Sequence, residues 1–461
     1  MPDIPPVSAP VAETEYAAFL ALDWGDREHA WALQIAGQTR RERGKLEHTP
    51  EAVEVWAAQL VARFPGQLLA VGLEQSRGAL IHLLSKYSHL ILYPIHPATA
   101  ANFRTALFPS GSKDDPKDAD LLLDLITRHR DRLRPLRPDT APTRKLQALV
   151  EHRRQLVDQR TAQTNRITDL LKQYFPQLLG WLDKIGSPMA VALLQRWSTL
   201  EQLQAEDPGQ VRKFFRRHNS RSRTRIEQRI EEIQKARPAL LDPAMIEPCA
   251  LMVRVLVEVV VALNQGIVNL EQEIEHTFAA HADAAIFQSF PGAGPALAPR
   301  LLAAFGSQRD RFATANQLQS YAGIAPVIQR SGASQYWVHF RWACPRFLRQ
   351  SFHEYAASSL HFCPWAKAFY DRHRNHRHKS HHAAVRALAF KWMRILFRCW
   401  HSHTPYREEL FTGAQTARPV PLTAPAPTPA GTPRPSLRTR HAHGRVPVRS
   451  LAAALPLADI L

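Results

Sequence analysis

Lys113-Asp114-Asp115-Pro116-Lys117-Asp118-Ala119-Asp120 is the stretch on which the reading of this chain turns. Proline is tolerated in the first turn of a helix, so Pro116 marks a helix start. Asp115 and Asp118, three residues apart, then share one face of that turn. Two carboxylates held that close repel each other unless a cation lies between them. A hard divalent ion such as Mg²⁺ takes oxygen ligands of this kind and needs more than two. Further candidates lie upstream at the ends of two expected strands. Asp23 closes Phe19-Leu20-Ala21-Leu22-Asp23, and Glu74 closes Leu69-Ala70-Val71-Gly72-Leu73-Glu74. Taken alone, the acidic stretch reads as a helix cap, where aspartate favours the positive end of the dipole. With Asp23 and Glu74 beside it, a metal site is the better reading.

Working outward, the segments around this stretch alternate between strand and helix patterns. Phe19–Asp23, Glu28–Ala36 and Thr39–His48 read as a three-strand meander. Glu51–Phe64 has helical spacing at Val53, Trp56, Leu60 and Val61. Leu68–Leu73 is a short apolar run, read as a buried strand. Gly78–Tyr87 is helical, Leu90–Ile95 a strand and Ala98–Leu107 a helix. The order predicts a mixed sheet flanked by helices. Carboxylates at neighbouring strand ends plus two from a helix make a two-metal nuclease arrangement, with a pair of Mg²⁺ ions. The pattern is that of a ribonuclease-H-like fold.

The remaining chain reads as mostly helical. Thr143–Phe175 and Leu251–Phe278 carry apolar residues at helical spacing, and they are expected to pair as an antiparallel or intermolecular coiled coil. Short helices lie between them. Phe290-Pro291-Gly292-Ala293-Gly294-Pro295 precedes a helix over Ala296–Phe305. Gly292 and Gly294 there would let backbone N–H groups approach a phosphate, as in a helix-hairpin-helix element. Ser331, followed by Gly332-Ala333-Ser334, is placed in a tight exposed loop with Arg330, Arg341 and Arg349 close in sequence. Arginines beside a serine suit a phosphoryl transition state; an ordinary turn serine fits the same residues. His373–His382 interleaves histidine with Arg and Lys, which disfavours a metal site and favours phosphate contact or a solvated basic segment.

The expected domains are a disordered leader (1–15), a sheet domain (16–135), a helical domain (136–280), a C-terminal domain (281–411) and a disordered basic tail (412–461). The 461 residues carry a formal net charge of +18, which points to a polyanionic partner. Arg153, Arg154 and Arg160 recur along the first long helix as candidate phosphate contacts. Four scattered cysteines without a CxxC pair argue against a zinc ribbon or a disulfide framework. No signal pattern and no run long enough to span a bilayer is present, so a cytoplasmic protein working at the nucleoid is expected.

In order and spacing these motifs resemble those of the DEDD-type transposases of insertion-sequence family one-ten, bridge-RNA-guided serine recombinases. The likeness runs from about Phe19 to Tyr406. It rests on Asp23, Glu74, Lys113-x-Asp115-x-x-Asp118-Ala119, Arg153-Arg154, Arg160-Thr161, Asn165-Arg166, Phe175-Pro176, Pro291-Gly292-x-Gly294, Tyr321-x-Gly323, Ser331-Gly332 and Leu348-Arg349. Two positions depart from the pattern. Cys344-Pro345 stands where a Gly-Asn type turn is usual, and Asp114 where a hydroxyl is common. The resemblance implies a RuvC-like domain whose tetrad Asp23, Glu74, Asp115 and Asp118 holds Mg²⁺. It implies Ser331 as a nucleophile that becomes a covalent phosphoserine. It further implies donor and target DNA selected by a structured guide RNA, and a homo-oligomer, dimer or tetramer. A RuvC-type nuclease without serine chemistry, and a decayed non-catalytic nucleic-acid-binding protein, are alternative readings of the same residues.

Overall fold

The computed structural model describes residues 15–74, 78–107, 115–182, 184–218, 222–331, 335–339, 341 and 344–409, with the backbone alone at 115–117, 329–331, 335–337, 339 and 376. Residues 1–14 of the expected leader and the whole of the expected tail lie outside the described residues. The first part of the chain is a five-stranded sheet in the order β3-β2-β1-β4-β5. Its strands are β1 (Ala18–Asp23), β2 (Glu28–Ile35), β3 (Arg41–Glu47), β4 (Leu69–Leu73) and β5 (Leu90–Pro94). β1–β2 and β2–β3 pair antiparallel, while β1–β4 and β4–β5 pair parallel. Helices α1 (Pro50–Arg63), α2 (Ala79–Leu84), α3 (Pro97–Leu107) and α4 (Asp115–Arg128) complete this part. The topology is compatible with a ribonuclease-H-like fold.

Side-chain alternation decides which helix covers which face. Leu20, Leu22, Leu69, Val71 and Leu73 form one core with Val53, Trp56 and Leu60 of α1 and Leu80 and Leu84 of α2. The opposite face offers small residues, Ala21, Ala32 and Ala70, to Leu122, Leu125 and Ile126 of α4. Gly72 belongs to that face. A Cβ there would lie 3.3 Å from Ile95 and 3.4 Å from Ile126, so the missing side chain lets α4 sit close on β4.

The helical middle is built on α5 (Ala141–Tyr174) and α11 (Pro243–Ala279), each about 50 Å long at 1.5 Å per residue. Contacts at Lys145–Glu273 (2.5 Å), Arg153–Glu271 (2.5 Å) and Arg160–Asn264 (3.3 Å) show that the pair runs antiparallel. Between these two helices the chain forms α6 (Leu178–Trp181), α7 (Pro188–Arg196), α8 (Leu200–Ala205), α9 (Pro208–Arg217) and α10 (Arg223–Lys235). Their Trp181, Leu194, Phe215 and Ile233 pack with Phe175 and Val257 in one core.

The C-terminal part comprises α12 (Ala284–Gln288), α13 (Gly294–Phe305), α14 (Ala315–Tyr321), the hairpin β6 (Val327–Ser331) and β7 (Gln335–His339), α15 (Arg346–Ser359), α16 (Pro364–Asp371) and α17 (His381–His401). Its core is aromatic, with Phe287, Phe290, Phe305, Phe352, Tyr355, Trp392 and Trp400 fully buried. Buried indoles need acceptors. Trp392 donates to Ser359 Oγ (2.9 Å), Trp400 to the Gly306 carbonyl (3.2 Å) and Trp365 to Tyr406 Oη (2.9 Å).

A clip joins the chain leaving the sheet to the end of α13. The Asp139 carboxylate accepts from Ser307 N (2.6 Å), Ser307 Oγ (2.9 Å) and Gln147 (2.9 Å). Thr140 N donates to Ser307 Oγ (2.9 Å), and Arg137 pairs with Asp310. Gly306 takes φ +78°, and a Cβ on it would meet Asp139 at 2.7 Å, so glycine is needed on both counts.

Candidate nucleic-acid processing site

Strand register brings the first two acids together. β1 and β4 pair in parallel from Ala18↔Leu69 to Leu22↔Leu73. Asp23 and Glu74 are therefore the next residues along in the same register, at the carboxyl ends of neighbouring strands. Alternation puts both on the face occupied by Ala21, Ala70 and Gly72, which is the face α4 covers. Each is half-buried.

The direction of α4 follows from its ion pairs with β3. Arg41, at the start of β3, pairs with Asp124 (2.7 Å), and Arg43 pairs with Asp120 (2.9 Å). β3 runs parallel to β1, so α4 runs against both. The first turn of α4, with Asp115 and Asp118, thus lies over the sheet edge that carries Asp23 and Glu74. Asp118 is 4% exposed. Its carboxylate accepts from Arg104 of α3 at 2.7 Å. The side chain of Asp115 lies outside the described residues.

Among the described residues no group of three or more His, Cys, Asp or Glu side chains is placed to hold a metal ion. The donor set nonetheless fits a hard divalent cation in chemistry: carboxylates from two strand ends and one helix turn at one sheet edge, among them Asp118, a buried carboxylate of the kind that needs a counter-charge. Arg104 supplies that counter-charge. The sequence reading did not single out Arg104; the signal was a lone arginine on the helix just before the acidic stretch. It also passed over the turn after Asp23. There Gly25 N donates to His29 Nδ1 (3.2 Å), and His29 Nε2 lies 2.9 Å from His48 Nδ1, with Trp24 packed on both rings. Burial, then the neighbouring His48, lowers the His29 pKa to about 4. The neutral ring thus holds the loop that follows Asp23.

At the C-terminal site the structure corrects one expectation. Ser331 is the last residue of β6, paired with Gln335 of β7, rather than part of a loop. Val327-Ile328 and Tyr336-Trp337-Val338 are β-branched and aromatic, the composition of a hairpin. The side chains of Ser331 and Arg330, and residues 332–334 altogether, lie outside the described residues. Arg349 Nη1 donates to the Arg341 carbonyl (3.1 Å), tying α15 to the segment just past the hairpin. Pro345 of the unusual Cys344-Pro345 pair is the N-cap residue of α15.

Gly292 (φ +78°) lies in the turn before α13, and Gly294 (φ +54°) is the first residue of that helix. Gly292 has a packing reason, because a Cβ would meet Phe362 at 2.9 Å and Ser358 at 3.2 Å; Gly294 has open space. Arg153 donates to Glu271 and Arg160 to Asn264, joining α5 to α11, while Arg154 pairs with Asp158 along α5 (3.0 Å).

Comparison with known proteins resolves what this assembly of parts is. A family model for IS110-type DEDD transposases matches residues 20–176, and a second, for the IS116/IS110/IS902 transposase family, matches residues 284–371. The chain belongs to the IS110 family of transposases. It is 28% identical over 406 residues to the mini-circle putative transposase for IS117 of Streptomyces coelicolor, covering 86% of this chain and 97% of that protein. It is also 28% identical over 397 residues to the IS900 uncharacterized 42 kDa protein of Mycobacterium paratuberculosis (85% and 98%). The IS110 uncharacterized 43.6 kDa protein of Streptomyces coelicolor is 27% identical over 421 residues (87% and 98%). The first matched span holds Asp23, Glu74, Asp115 and Asp118, and the second holds Ser331, Arg341 and Arg349. The transposase is thus an insertion-sequence enzyme of DNA strand transfer, in a family that commonly uses divalent metal ions. Among its described residues no helix is long and apolar enough to cross a membrane.

Proposed function

We propose that this transposase is an RNA-guided DNA recombinase that cuts and rejoins strands through a carboxylate site and a covalent phosphoserine. The observation that carries the first half is the shared register of Asp23 and Glu74 beneath the first turn of α4. Asp23, Glu74, Asp115 and Asp118 would hold a pair of Mg²⁺ ions, which when bound supply charge stabilisation at the scissile phosphate. Asp118 is held ready by Arg104, and Asp23 by the turn that His29 and His48 fix. Ser331, whose backbone closes β6, would be the nucleophile. It attacks phosphorus, the leaving 3′ or 5′ oxygen takes a proton, and the phosphoserine keeps the energy of the broken ester for rejoining.

The formal charge of +18 and the absence of a sequence-reading module such as a zinc finger support selection of donor and target DNA by a structured guide RNA. Arg153, Arg154 and Arg160 are candidate phosphate contacts once their present acceptors are exchanged, with Gly292, Gly294, Arg330, Arg341 and Arg349 on the DNA side. A homo-oligomer fits the face of α11 on which Leu251, Met252, Val255 and Val259 stand exposed.

The test is a pair of variants. Asp115→Ala should abolish strand cleavage while the fold persists, and chelation should do the same to the unmodified protein. Ser331→Ala should bind DNA yet form no denaturant-resistant protein–DNA adduct. Recombination by Asp115→Ala, or an adduct from Ser331→Ala, refutes the corresponding half.

A further inference from the structure

The short helices at the tip of the α5–α11 pair take no part in the site described above, and residues 177–283 fall between the two matched family spans. Between Arg212 and Arg229 the sequence holds eight Arg and Lys residues and one acid, Glu227. α9 and α10 carry this run and fold back on each other. Arg212 of α9 donates two hydrogen bonds to the Glu227 carboxylate of α10 (2.6 and 2.8 Å), and the Arg229 guanidinium lies over the Phe215 ring at 5.6 Å. Val211, Phe214 and Phe215 are the buried face of α9, and Ile226, Ile230 and Ile233 that of α10. Lys213, Arg216 and Arg217 therefore share the outer stripe of α9. Arg223 and Arg225 stand in the first turn of α10, one short connection further on. All five are exposed.

A basic run on a helix is ordinarily a solvated face. Such a face interleaves its charges, because like charges three or four residues apart destabilise a helix. The second half of α10 does so: Lys235 pairs with Glu231, and Gln228 donates to Glu232 (2.9 Å). The five cations do not. Lys213 stands three residues from Arg216 and four from Arg217, and Arg225 stands four from Arg229. The one acid of the run is occupied by Arg212. No carboxylate among the described residues forms an ion pair with any of the five. Arg223 and Arg225 also lie at the positive end of the α10 dipole, where no first-turn acid offsets them. This arrangement works against folding, and a polyanion would relieve it. Phe214 and Phe215 are buried, so the outer surface offers charge without a phenylalanine ring on which an unpaired base could stack. It suits the phosphates of a duplex.

We propose that the outer surface of the α9–α10 pair, through Lys213, Arg216, Arg217, Arg223 and Arg225, binds the phosphate backbone of duplex DNA without reading its sequence. The partner is DNA because DNA is the substrate of a transposase, so a duplex is present in the reaction. Phe215 and Ile233 share a core with Phe175, which follows the last residue of α5. The surface thus belongs to the end of α5 opposite the Asp139–Ser307 clip, about 50 Å along the helix. It is a grip separate from the strand-end acids and from the β6–β7 hairpin. The assignment uses neither the serine chemistry nor the guide RNA proposed above.

The experiment measures binding of the full chain to two short DNA duplexes of unrelated sequence, and to a structured RNA, against salt. Arg216→Gln with Arg217→Gln should weaken binding to both duplexes alike and reduce the slope of log K against log salt by about 1.8, two phosphate contacts. Arg216→Lys with Arg217→Lys, which keeps the charge, should retain most of the slope. Arg223→Gln with Arg225→Gln should repeat the loss from the other helix, and decides alone if the α9 variant does not fold. Lys172→Gln with Lys235→Gln removes the same charge from cations already paired with Asp169 and Glu231, and should leave the slope nearly unchanged. An unchanged slope in the arginine variants, an equal fall in the lysine control, a loss confined to one duplex or a loss confined to RNA overturns the proposal. Recombination by Asp115→Ala, or an adduct from Ser331→Ala, would instead sink the reading above and leave these measurements standing.

Discussion

At the scale of single residues, one ion pair dominates the carboxylate edge. Asp118 is nearly sealed from solvent, and Arg104 is its partner. Removing one member of such a pair leaves an uncompensated charge, worth roughly 3 kcal/mol for a partner that is itself partly exposed. Arg104→Ala should therefore lower the urea midpoint in chelator, and added Mg²⁺ should restore part of the loss by taking over as counter-ion. Equal losses with and without Mg²⁺ would separate Asp118 from the metal. His29 gives a pH prediction. Its folded pKa of about 4 lies below the ordinary 6.5. Between these values the unfolded chain takes a proton that the folded chain refuses. Stability should be complete above about pH 6.5, fall as the pH drops towards 4, and level off below. His353 acts in the same window with the same sign. Denaturant midpoints across this range should show the fall, and His29→Gln should flatten it; a level wild-type curve would contradict it.

At the scale of elements, the strands and helices of the sheet domain follow their sequence patterns closely. The expected Glu28–Ala36 is β2 at Glu28–Ile35, and Glu51–Phe64 is α1 at Pro50–Arg63. Alternation and helical spacing are local signals, and in this region tertiary contacts agree with them. Elsewhere a local signal misled. The second long helix, expected from Leu251, begins at Pro243, a proline in the first turn behind the Asp242 cap, and continues through Pro248 in its interior. The Ser-Gly-Ala-Ser run reads as a loop, yet the backbone of Ser331 is paired with Gln335 of β7. Asp23 and Glu74 were legible as strand-end acids. Arg104, the partner of Asp118, and the His29–His48 pair were not, because nothing in the local sequence marks a contact made across 14 or 19 residues. Element packing also yields a test. Gly72→Val would press on Ile95 and Ile126, costing about 1–3 kcal/mol. It should tilt α4 away from β4 and reduce cleavage more than the drop in melting temperature alone explains; a variant as stable and as active as wild type would show that α4 does not rest on this glycine.

At the scale of the whole molecule, residues through Tyr406 form one compact unit. Tyr406 is its closing side chain, 9% exposed, stacked on Phe290 and bonded to Trp365. Deleting the chain from Thr412 should leave the melting temperature and recombination of a short substrate nearly unchanged, whereas a truncation that also removes Tyr406 should destabilise the C-terminal core. Thermal melts of the two truncations check this, and equal loss in both would show that the last residues also pack. The Asp139–Ser307 clip has a consequence of a different kind. The chain departs at residue 140 and is fastened again at residue 307, so everything between is an excursion that starts and finishes at one anchor. Like a boom hinged at its foot, the α5–α11 pair can gain or lose matched helical turns, or carry a different head at its tip, without altering the route from the sheet to the serine hairpin. Reach, the distance at which the molecule grasps whatever its tip holds, is thereby a quantity that evolution can change separately from chemistry.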